Sequence, residues 1–156
     1  MNQKRIIIIF TVILFLASEI VLAENLPKSD WPMFRGTLAN EGHSDSQAPQ
    51  TNHTLWKFNT GGQVGSPTIA DGIAYVGSYD RKVYAFNATN GQLIWNYITD
   101  GIVVSKPSVE DGIICVGSED FNLYALNAYT GEKIWNYKTG YYVDSDQLIV
   151  NGVVYF

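Results

Sequence analysis

The chain has 156 residues, and its 15 acidic side chains outnumber its 10 basic ones to give a net charge of −5 at pH 7. A chain of this length forms one domain or less. An acidic chain without a basic cluster binds phosphate backbones and anionic membrane surfaces poorly, so we expect no nucleic-acid partner. The single cysteine, Cys115, excludes an internal disulfide, and its apolar neighbours predict a buried thiol.

The N-terminal segment, 1–23, has the layout of a secretory signal peptide. Lys4–Arg5 precede an apolar run over Ile6–Ala17, and Val21–Ala23 offers small residues at positions −3 and −1 of a cleavage site. An uncleaved membrane anchor is the alternative, but the apolar stretch is short for a bilayer span and contains Glu19. No cysteine follows the cleavage site, which excludes a lipoprotein anchor there. We therefore expect residues 1–23 to be removed, no membrane span to remain, and the protein to be secreted, periplasmic or on the cell surface.

Residues 24–54 form a polar leader. Aromatic residues occur in Trp31–Gly36, and the rest is rich in Ser, Asn, Gln and His. The apolar content is too low for an independent core, so we expect an irregular segment whose aromatic side chains lie against the following domain. His43 and His53 have no Cys, Asp or Glu at metal-ligand spacing. This favours solvated loop histidines over metal ligands.

From Leu55 the sequence changes to short β-strands separated by turn residues. Asp71–Gly72 predicts a two-residue hairpin turn, because both central positions of a type I′ turn need positive φ. Asp80–Arg81 predicts a second turn, and Asn90–Gly91 is predicted to supply the left-handed positions of a third. The predicted strands are Leu55–Phe58, Val64–Ala70, Ile73–Ser78, Lys82–Asn87 and Gln92–Tyr97.

The same succession of strands and turns then occurs a second time. A stretch with Ala first, Gly seventh and Trp eleventh lies at Ala85–Trp95 and again at Ala125–Trp135. Self-similarity at a fixed period of about 40 residues indicates a repeat architecture. The second set of predicted strands is Val103–Glu110, Ile113–Ser118, Asn122–Asn127 and Glu132–Lys138, and a third set begins at Tyr142 with Asn151–Gly152 as its turn.

Four strands per period without helical periodicity predict an all-β fold, a partial β-propeller. Two complete four-stranded blades are predicted at residues 63–98 and 102–138. The truncated start of a third lies at 142–156, and an N-terminal closing strand completes a domain over residues 55–156. A β-sandwich is the alternative, but it leaves the repeat unexplained.

The strand sequences themselves favour blades. Ile73–Val76 and Ile113–Val116 are apolar on both faces, which suits a sheet covered on each side by a neighbouring blade. Pro67 and Pro107 fall in the first strand of each unit, and proline is tolerated on an edge strand such as the innermost strand of a blade.

The repeated stretch resembles the tryptophan-docking motif of the pyrroloquinoline-quinone (PQQ)-like β-propeller repeat family, A-x-D-x-x-T-G-K-x-x-W. The likeness covers about Leu55 to Phe156. The chain departs from the motif at five positions: Asn87 and Asn127 replace the Asp, Asn90 replaces one Thr, and Gln92 and Glu132 replace the Lys. The resemblance is specific for the fold and weak for the activity, since one fold serves many functions.

The resemblance implies which residues hold the blades together. The Trp of one blade docks against a neighbouring blade, and the Gly forms the turn between the third and fourth strands. The residues that would take these structural roles here are Trp56, Ala85, Gly91, Trp95, Ala125, Gly131 and Trp135. Trp56 would belong to the outermost strand of the last blade, whose other strands the sequence lacks, so we expect the chain to be the front part of a longer protein.

No catalytic, cofactor-binding or metal-binding residue is predicted. Gly61–Gly65 is glycine-dense, but no helix follows it, so it predicts a turn and not a phosphate loop. Carboxylates in hairpin turns are expected to make backbone hydrogen bonds; these are Asp71, Asp80, Asp111 and Asp120. Glycosylation sequons begin at Asn52 and Asn87, and the second overlaps the docking turn.

The sequence predicts a secreted or cell-surface, non-catalytic propeller that acts as a binding or scaffold module. Its partner would be another protein or the remaining blades of the same propeller, and no cofactor is predicted. The first alternative is the front part of a PQQ-dependent dehydrogenase, which would require PQQ and calcium. Such alcohol dehydrogenases also carry an adjacent Cys pair, which the single cysteine cannot supply. The second alternative is an extracellular sensor domain.

Overall fold

The computed structural model describes residues 50–156, so the predicted signal peptide, His43 and the leader up to residue 49 lie outside it. The described residues form ten strands and no helix, and the strands make two four-stranded antiparallel sheets and one two-stranded sheet. The predicted all-β, partial β-propeller fold is confirmed. None of the described residues belongs to a helix of the length and hydrophobicity needed to cross a bilayer.

The first blade contains strands β1 (Thr68–Ala70), β2 (Ile73–Ser78), β3 (Lys82–Asn87) and β4 (Leu93–Ile98), which pair in chain order. The β1–β2 turn has positive φ at both central residues, 50° at Asp71 and 72° at Gly72. This is the type I′ geometry that an Asp-Gly pair favours, as the sequence predicted.

The second blade repeats the first. It contains β5 (Ser108–Glu110), β6 (Ile113–Gly117), β7 (Asn122–Asn127) and β8 (Lys133–Lys138). The register is also repeated, with the same pairing positions and an irregularity between β7 and β8 that matches the one between β3 and β4. The beginning of a third unit follows as a hairpin of β9 (Leu148–Val150) and β10 (Val153–Tyr155).

The main hydrophobic core lies between the first two blades. The first blade contributes Val83, Ala85 and Trp95, and the facing side of the second contributes Ile114 and Leu126, all of them buried. Both faces of β2 and β6 are largely buried, as their continuous apolar sequences predicted. The blades therefore stabilise each other through their faces, and neither has a complete core of its own.

The predictions were wrong at three places. Leu55–Phe58 forms no strand, because no strand among the described residues lies beside it to share a ladder. The first strand of each complete blade is shorter than predicted and starts directly after the proline, which has no N–H to donate. In the third turn only Gly91 has positive φ, because a hydrogen bond from Gly91 N–H to Asn87 C=O (2.9 Å) closes the turn without a second left-handed residue.

Candidate functional site

Trp95 connects the first blade to the second. Its side chain is only 7% exposed, and its indole N–H donates a hydrogen bond of 2.8 Å to the carbonyl of Ala128. The ring covers Gly131, where an added Cβ would lie 2.7 Å from Cδ2 of the indole. Tyr75 lies 6.0 Å away, measured between ring centroids, and its hydroxyl donates to the same carbonyl at 3.1 Å. A single carbonyl in the β7–β8 turn thus accepts hydrogen bonds from two aromatic residues of the preceding blade.

Trp56 makes the equivalent contact on the first blade. Its indole N–H donates to the carbonyl of Ala88 at 2.9 Å, and its ring covers Gly91. Its ring centroid is 5.8 Å from that of Phe86. This segment has no strand geometry, so the contact depends on the side chain and its receiving turn and does not require a β-ladder.

Trp135, the third tryptophan of the series, is 39% exposed. Every residue of β8 is exposed, and no described residue accepts a hydrogen bond from the Trp135 indole.

The two alanines at the start of the repeated motif are fully buried. Ala85 pairs with Trp95 between β3 and β4, and Ala125 pairs with Trp135 between β7 and β8.

A second contact between units joins a backbone amide to a turn carboxylate. Gly61 N–H donates to Oδ2 of Asp80 at 2.9 Å, and the same carboxylate accepts a hydrogen bond from the Tyr84 hydroxyl at 2.5 Å. At the equivalent positions of the next repeat, Asp100 N–H and the Tyr124 hydroxyl donate to Oδ2 of Asp120 at 3.0 and 2.8 Å. These two carboxylates are therefore structural acceptors.

These hydrogen bonds lower the pKa values of both carboxyl groups. Burial acts to raise the pKa of the Asp120 carboxyl, but hydrogen bonds from Asn122, Tyr124 and the backbone outweigh it, so the pKa lies below its usual range. The pKa of Asp80 is lowered in the same way, against burial, by hydrogen bonds from Tyr84 and its other donors. Burial, together with the hydrogen bond to Asp80, raises the pKa of Tyr84 to about 12.

We expect the stabilising effect of Asp120 to depend on pH. A carboxyl whose pKa is lowered on folding stabilises the fold above its unfolded pKa, about 3.9, and this contribution is lost as the pH falls through the folded pKa. Asp120→Asn should therefore lower the free energy of unfolding most above about pH 5 and have a steadily smaller effect as the pH falls below about 4. Urea titrations of both proteins from pH 7 to pH 2 measure this difference.

The matched control is Asp144→Asn, an exposed carboxylate that is not part of this network. A penalty for Asp120→Asn that stays constant down to pH 2 would contradict the assigned role of the ionised carboxylate.

Cys115 is buried and free, as the sequence predicted. Burial raises the pKa of its thiol to about 11, and the thiolate is the reactive form. We expect the native protein to resist labelling by a disulfide reagent at pH 8 and to react fully in denaturant. Fast labelling without denaturant would contradict the buried position.

The remaining predicted residues lie apart from one another. Asn87 Oδ1 accepts hydrogen bonds from the backbone N–H groups of Thr89 (3.0 Å) and Asn90 (3.1 Å), so this sequon is part of the turn. Asn52 and His53 are exposed. Within residues 50–156, no three His, Cys, Asp or Glu side chains come together as a metal site.

The turn carboxylates Asp71 and Asp111 both have φ of 50°. Asp71 also accepts a hydrogen bond of 2.7 Å from the hydroxyl of Tyr129, a residue of the next blade. The sequence indicates only a local turn role for Asp71, because Tyr129 belongs to a different repeat.

Sequence reasoning also missed a polar contact between the inner strands. Lys106 is only 6% exposed, and its backbone N–H donates to Oδ1 of Asp146 at 3.0 Å. Burial lowers the pKa of Lys106, and the charge of Asp146 opposes that shift. Beside them, the hydroxyl of Ser105 donates to Oε1 of Gln147 at 3.2 Å. No sequence signal marked the hydrogen bond to Asp146, because its donor is a backbone N–H, which every residue except proline has.

The recurrent four-stranded antiparallel units define the class of a PQQ-type β-propeller repeat protein. Residues 45–155 match the model of the family described as outer membrane protein assembly factor BamB, and the chain belongs to this family of PQQ-type repeats. No curated protein matches the chain.

Solved structures share the fold. A europium-containing methanol dehydrogenase is 23% identical with a TM-score of 0.69, over 88% of this chain and 28% of its own. The quinohemoprotein alcohol dehydrogenase of Comamonas testosteroni is 26% identical with a TM-score of 0.61, over 76% of this chain and 21% of its own. BamB from Moraxella catarrhalis is 19% identical with a TM-score of 0.56, over 62% of this chain and 32% of its own. The chain thus spans a third or less of each of these proteins.

Proposed function

We propose that the protein is a non-catalytic propeller module that binds or scaffolds other proteins outside the cytoplasm. One observation carries the proposal: the turn carboxylates of both complete blades are occupied as structural hydrogen-bond acceptors. Asp80 and Asp120 each accept one hydrogen bond from a tyrosine of the same blade and one from a backbone amide of the preceding segment. The family description, an assembly factor, also supports a scaffold role.

The seven residues of the repeated motif would hold this scaffold together. In this proposal the indoles of Trp56, Trp95 and Trp135 dock on the following unit, Gly91 and Gly131 receive them, and Ala85 and Ala125 leave space for close strand pairing. Export by residues 1–23, with cleavage after Ala23, would place the module at the cell surface, in the periplasm or in the medium. Mass spectrometry of the mature protein should then find Glu24 at its N-terminus, and Asn52 would be its exposed glycosylation position where the host glycosylates.

Affinity capture from an envelope extract tests the binding function. The full-length protein should retain a partner saturably and release it to free competitor. Gly131→Val, which we expect to disrupt the junction between the blades, should not retain it. A full-length protein that captures no saturable partner would overturn the proposal.

A PQQ-dependent oxidoreductase is the second candidate, because the folds of two dehydrogenases match this chain. The described residues do not fit the required groups. Calcium needs several oxygen ligands at one place, whereas Asp80 and Asp120 lie in separate turns and are bound to tyrosine hydroxyls. Dye reduction by the full-length protein with PQQ, calcium and an alcohol or sugar would favour the enzyme.

A further inference from the structure

Residues 90 and 91 form an Asn-Gly pair in the turn between β3 and β4. Asparagine loses its side-chain amide most easily before glycine, because glycine has no side chain to hinder the attack of its backbone nitrogen. The Asn90 side chain is exposed, so water and base reach it. The second repeat has Thr130 at this position, so the amide is present only in the first of the two turns.

Loss of this amide proceeds through a five-membered succinimide ring. The Gly91 nitrogen gives up its proton and bonds to Cγ of Asn90, while the bond from Cγ to Nδ2 breaks and ammonia leaves with that proton. Water then opens the ring at either carbonyl and gives aspartate or isoaspartate. The net reaction exchanges ammonia for water, so it needs no oxidant and no cofactor.

Hydrogen bonds engage both reacting groups in the folded turn. Gly91 N–H, the group that would attack, donates to the carbonyl of Asn87 at 2.9 Å. Asn90 Oδ1 accepts from the backbone N–H of Gln92 at 2.9 Å. The first bond must break before the ring can form, because the nitrogen has to lose the proton that it donates, and the second limits rotation of the side chain.

The Trp56 indole covers the same turn. An added Cβ at Gly91 would lie 2.5 Å from Cδ2 of the indole, so the ring lies directly on this glycine. The indole N–H is itself bound to the carbonyl of Ala88 at 2.9 Å. The main chain at Gly91 must rotate to bring its nitrogen to Cγ of Asn90. The indole leaves the glycine no space for this movement on the side that it covers.

We propose that Asn90 is a latent deamidation site, which the docked Trp56 indole keeps closed in the folded protein and which opens when this indole leaves its position. The rate of amide loss is then set by local opening of the Trp56 contact. The isoaspartyl product has an additional carbon in the main chain between residues 90 and 91, so Gly91 cannot return to its position beneath the indole. Opening is therefore reversible until the amide is lost and permanent afterwards.

Deamidation is measured by incubating the full chain at pH 8 and analysing the peptide that contains residue 90 by tandem mass spectrometry, which detects the mass gain of a carboxylate over an amide. Folded wild-type chain should lose the Asn90 amide at least about tenfold more slowly than the same chain in guanidinium chloride. Folded Trp56→Ala should lose it at least about tenfold faster than folded wild type, because the turn no longer has to displace an indole. Labelling by an isoaspartyl methyltransferase should follow the same order.

Trp135→Ala is the matched control, because it removes the same residue type from the same position of a later repeat and its indole is 39% exposed. Its rate of amide loss at Asn90 should equal that of the wild type. Labelling of the buried Cys115 thiol reports global unfolding in every variant. Faster amide loss in Trp56→Ala with Cys115 still protected would support local opening of the turn.

Thr130→Asn tests the same protection at the second turn. Gly131 N–H donates to the carbonyl of Asn127 at 2.8 Å, and Gly131 lies under the Trp95 indole. An asparagine at this position is therefore followed by a glycine that is held in the same way. In the folded chain its amide should be lost as slowly as that of Asn90.

Two results would each overturn the proposal directly. One is amide loss at Asn90 that is as fast in the folded wild type as in guanidinium chloride. The other is a folded Trp56→Ala chain that reacts at the wild-type rate, since hydrogen bonds alone would then keep the turn closed. If Trp56→Ala unfolds as a whole and its Cys115 is labelled, Thr130→Asn decides. Slow amide loss in that variant supports the proposal, and fast loss with Trp95 in place overturns it.

Discussion

Replacing Trp95 with alanine is expected to lower the free energy of unfolding by about 3–5 kcal/mol. The indole is buried between the blades and donates to the Ala128 carbonyl. Its removal leaves a cavity over Gly131 and takes one of two aromatic donors from that carbonyl. Urea titration followed by circular dichroism measures the loss, and a loss under about 1 kcal/mol would contradict the buried docking role.

Trp135→Ala is the matched control, because the same residue type occupies the same position of the next repeat. Since Trp135 is partly exposed and has no hydrogen-bond acceptor among residues 50–156, its removal should cost much less than that of Trp95. Equal losses for the two variants would show that the cost arises within the strand and not at the junction between blades.

Gly131→Val is expected to cause the second large loss of stability. Gly131 has φ of 74°, where a side chain costs about 1–2 kcal/mol and a β-branched one more. The new Cβ would also lie 2.7 Å from Cδ2 of Trp95, so the indole must leave its position. We expect a total loss of about 3–5 kcal/mol, comparable to that of a displaced buried tryptophan, measured in the same urea titrations.

Gly72→Val separates the backbone cost of a positive φ from the steric clash with Trp95. Gly72 has φ of 72°, but a Cβ there meets no atom within 4 Å, so this variant carries the backbone penalty without the clash. It should lose less stability than Gly131→Val. In the Trp95→Ala background, the penalty of Gly131→Val should fall towards that of Gly72→Val, because residues in contact are not additive. Additive losses would exclude direct contact as the cause.

Most of the correct predictions about the fold came from the repeat of about 40 residues. Turn chemistry at Asp71–Gly72 determined the hairpin, and Trp95 and Gly131 of the repeated motif lie together where the first two blades meet. The segment Leu55–Phe58 was wrongly predicted as a strand, because strand formation needs a partner ladder and residues 50–156 supply none beside this segment.

The period of the sequence did not predict two kinds of contact in the candidate site. The amides of Gly61 and Asp100 bind carboxylates through the backbone, which every residue has, so the sequence contains no sign of the contact. Lys106 and Asp146 occupy the same position of successive repeats but differ in charge, whereas the motif residues stay the same. Their contact becomes evident only when the inner strands lie side by side.

The hydrogen bond from Trp95 to Ala128, in the turn of the next unit, also affects how the protein folds during synthesis. Because each unit contacts only its neighbours, a nascent first unit has its final strand in place before the carbonyl that secures it has been synthesised. Folding during synthesis must therefore trail elongation by about one unit. Until the turn that contains Ala128 and Gly131 has been released and has folded, the Trp95 indole has neither its hydrogen-bond acceptor nor the glycine that it covers.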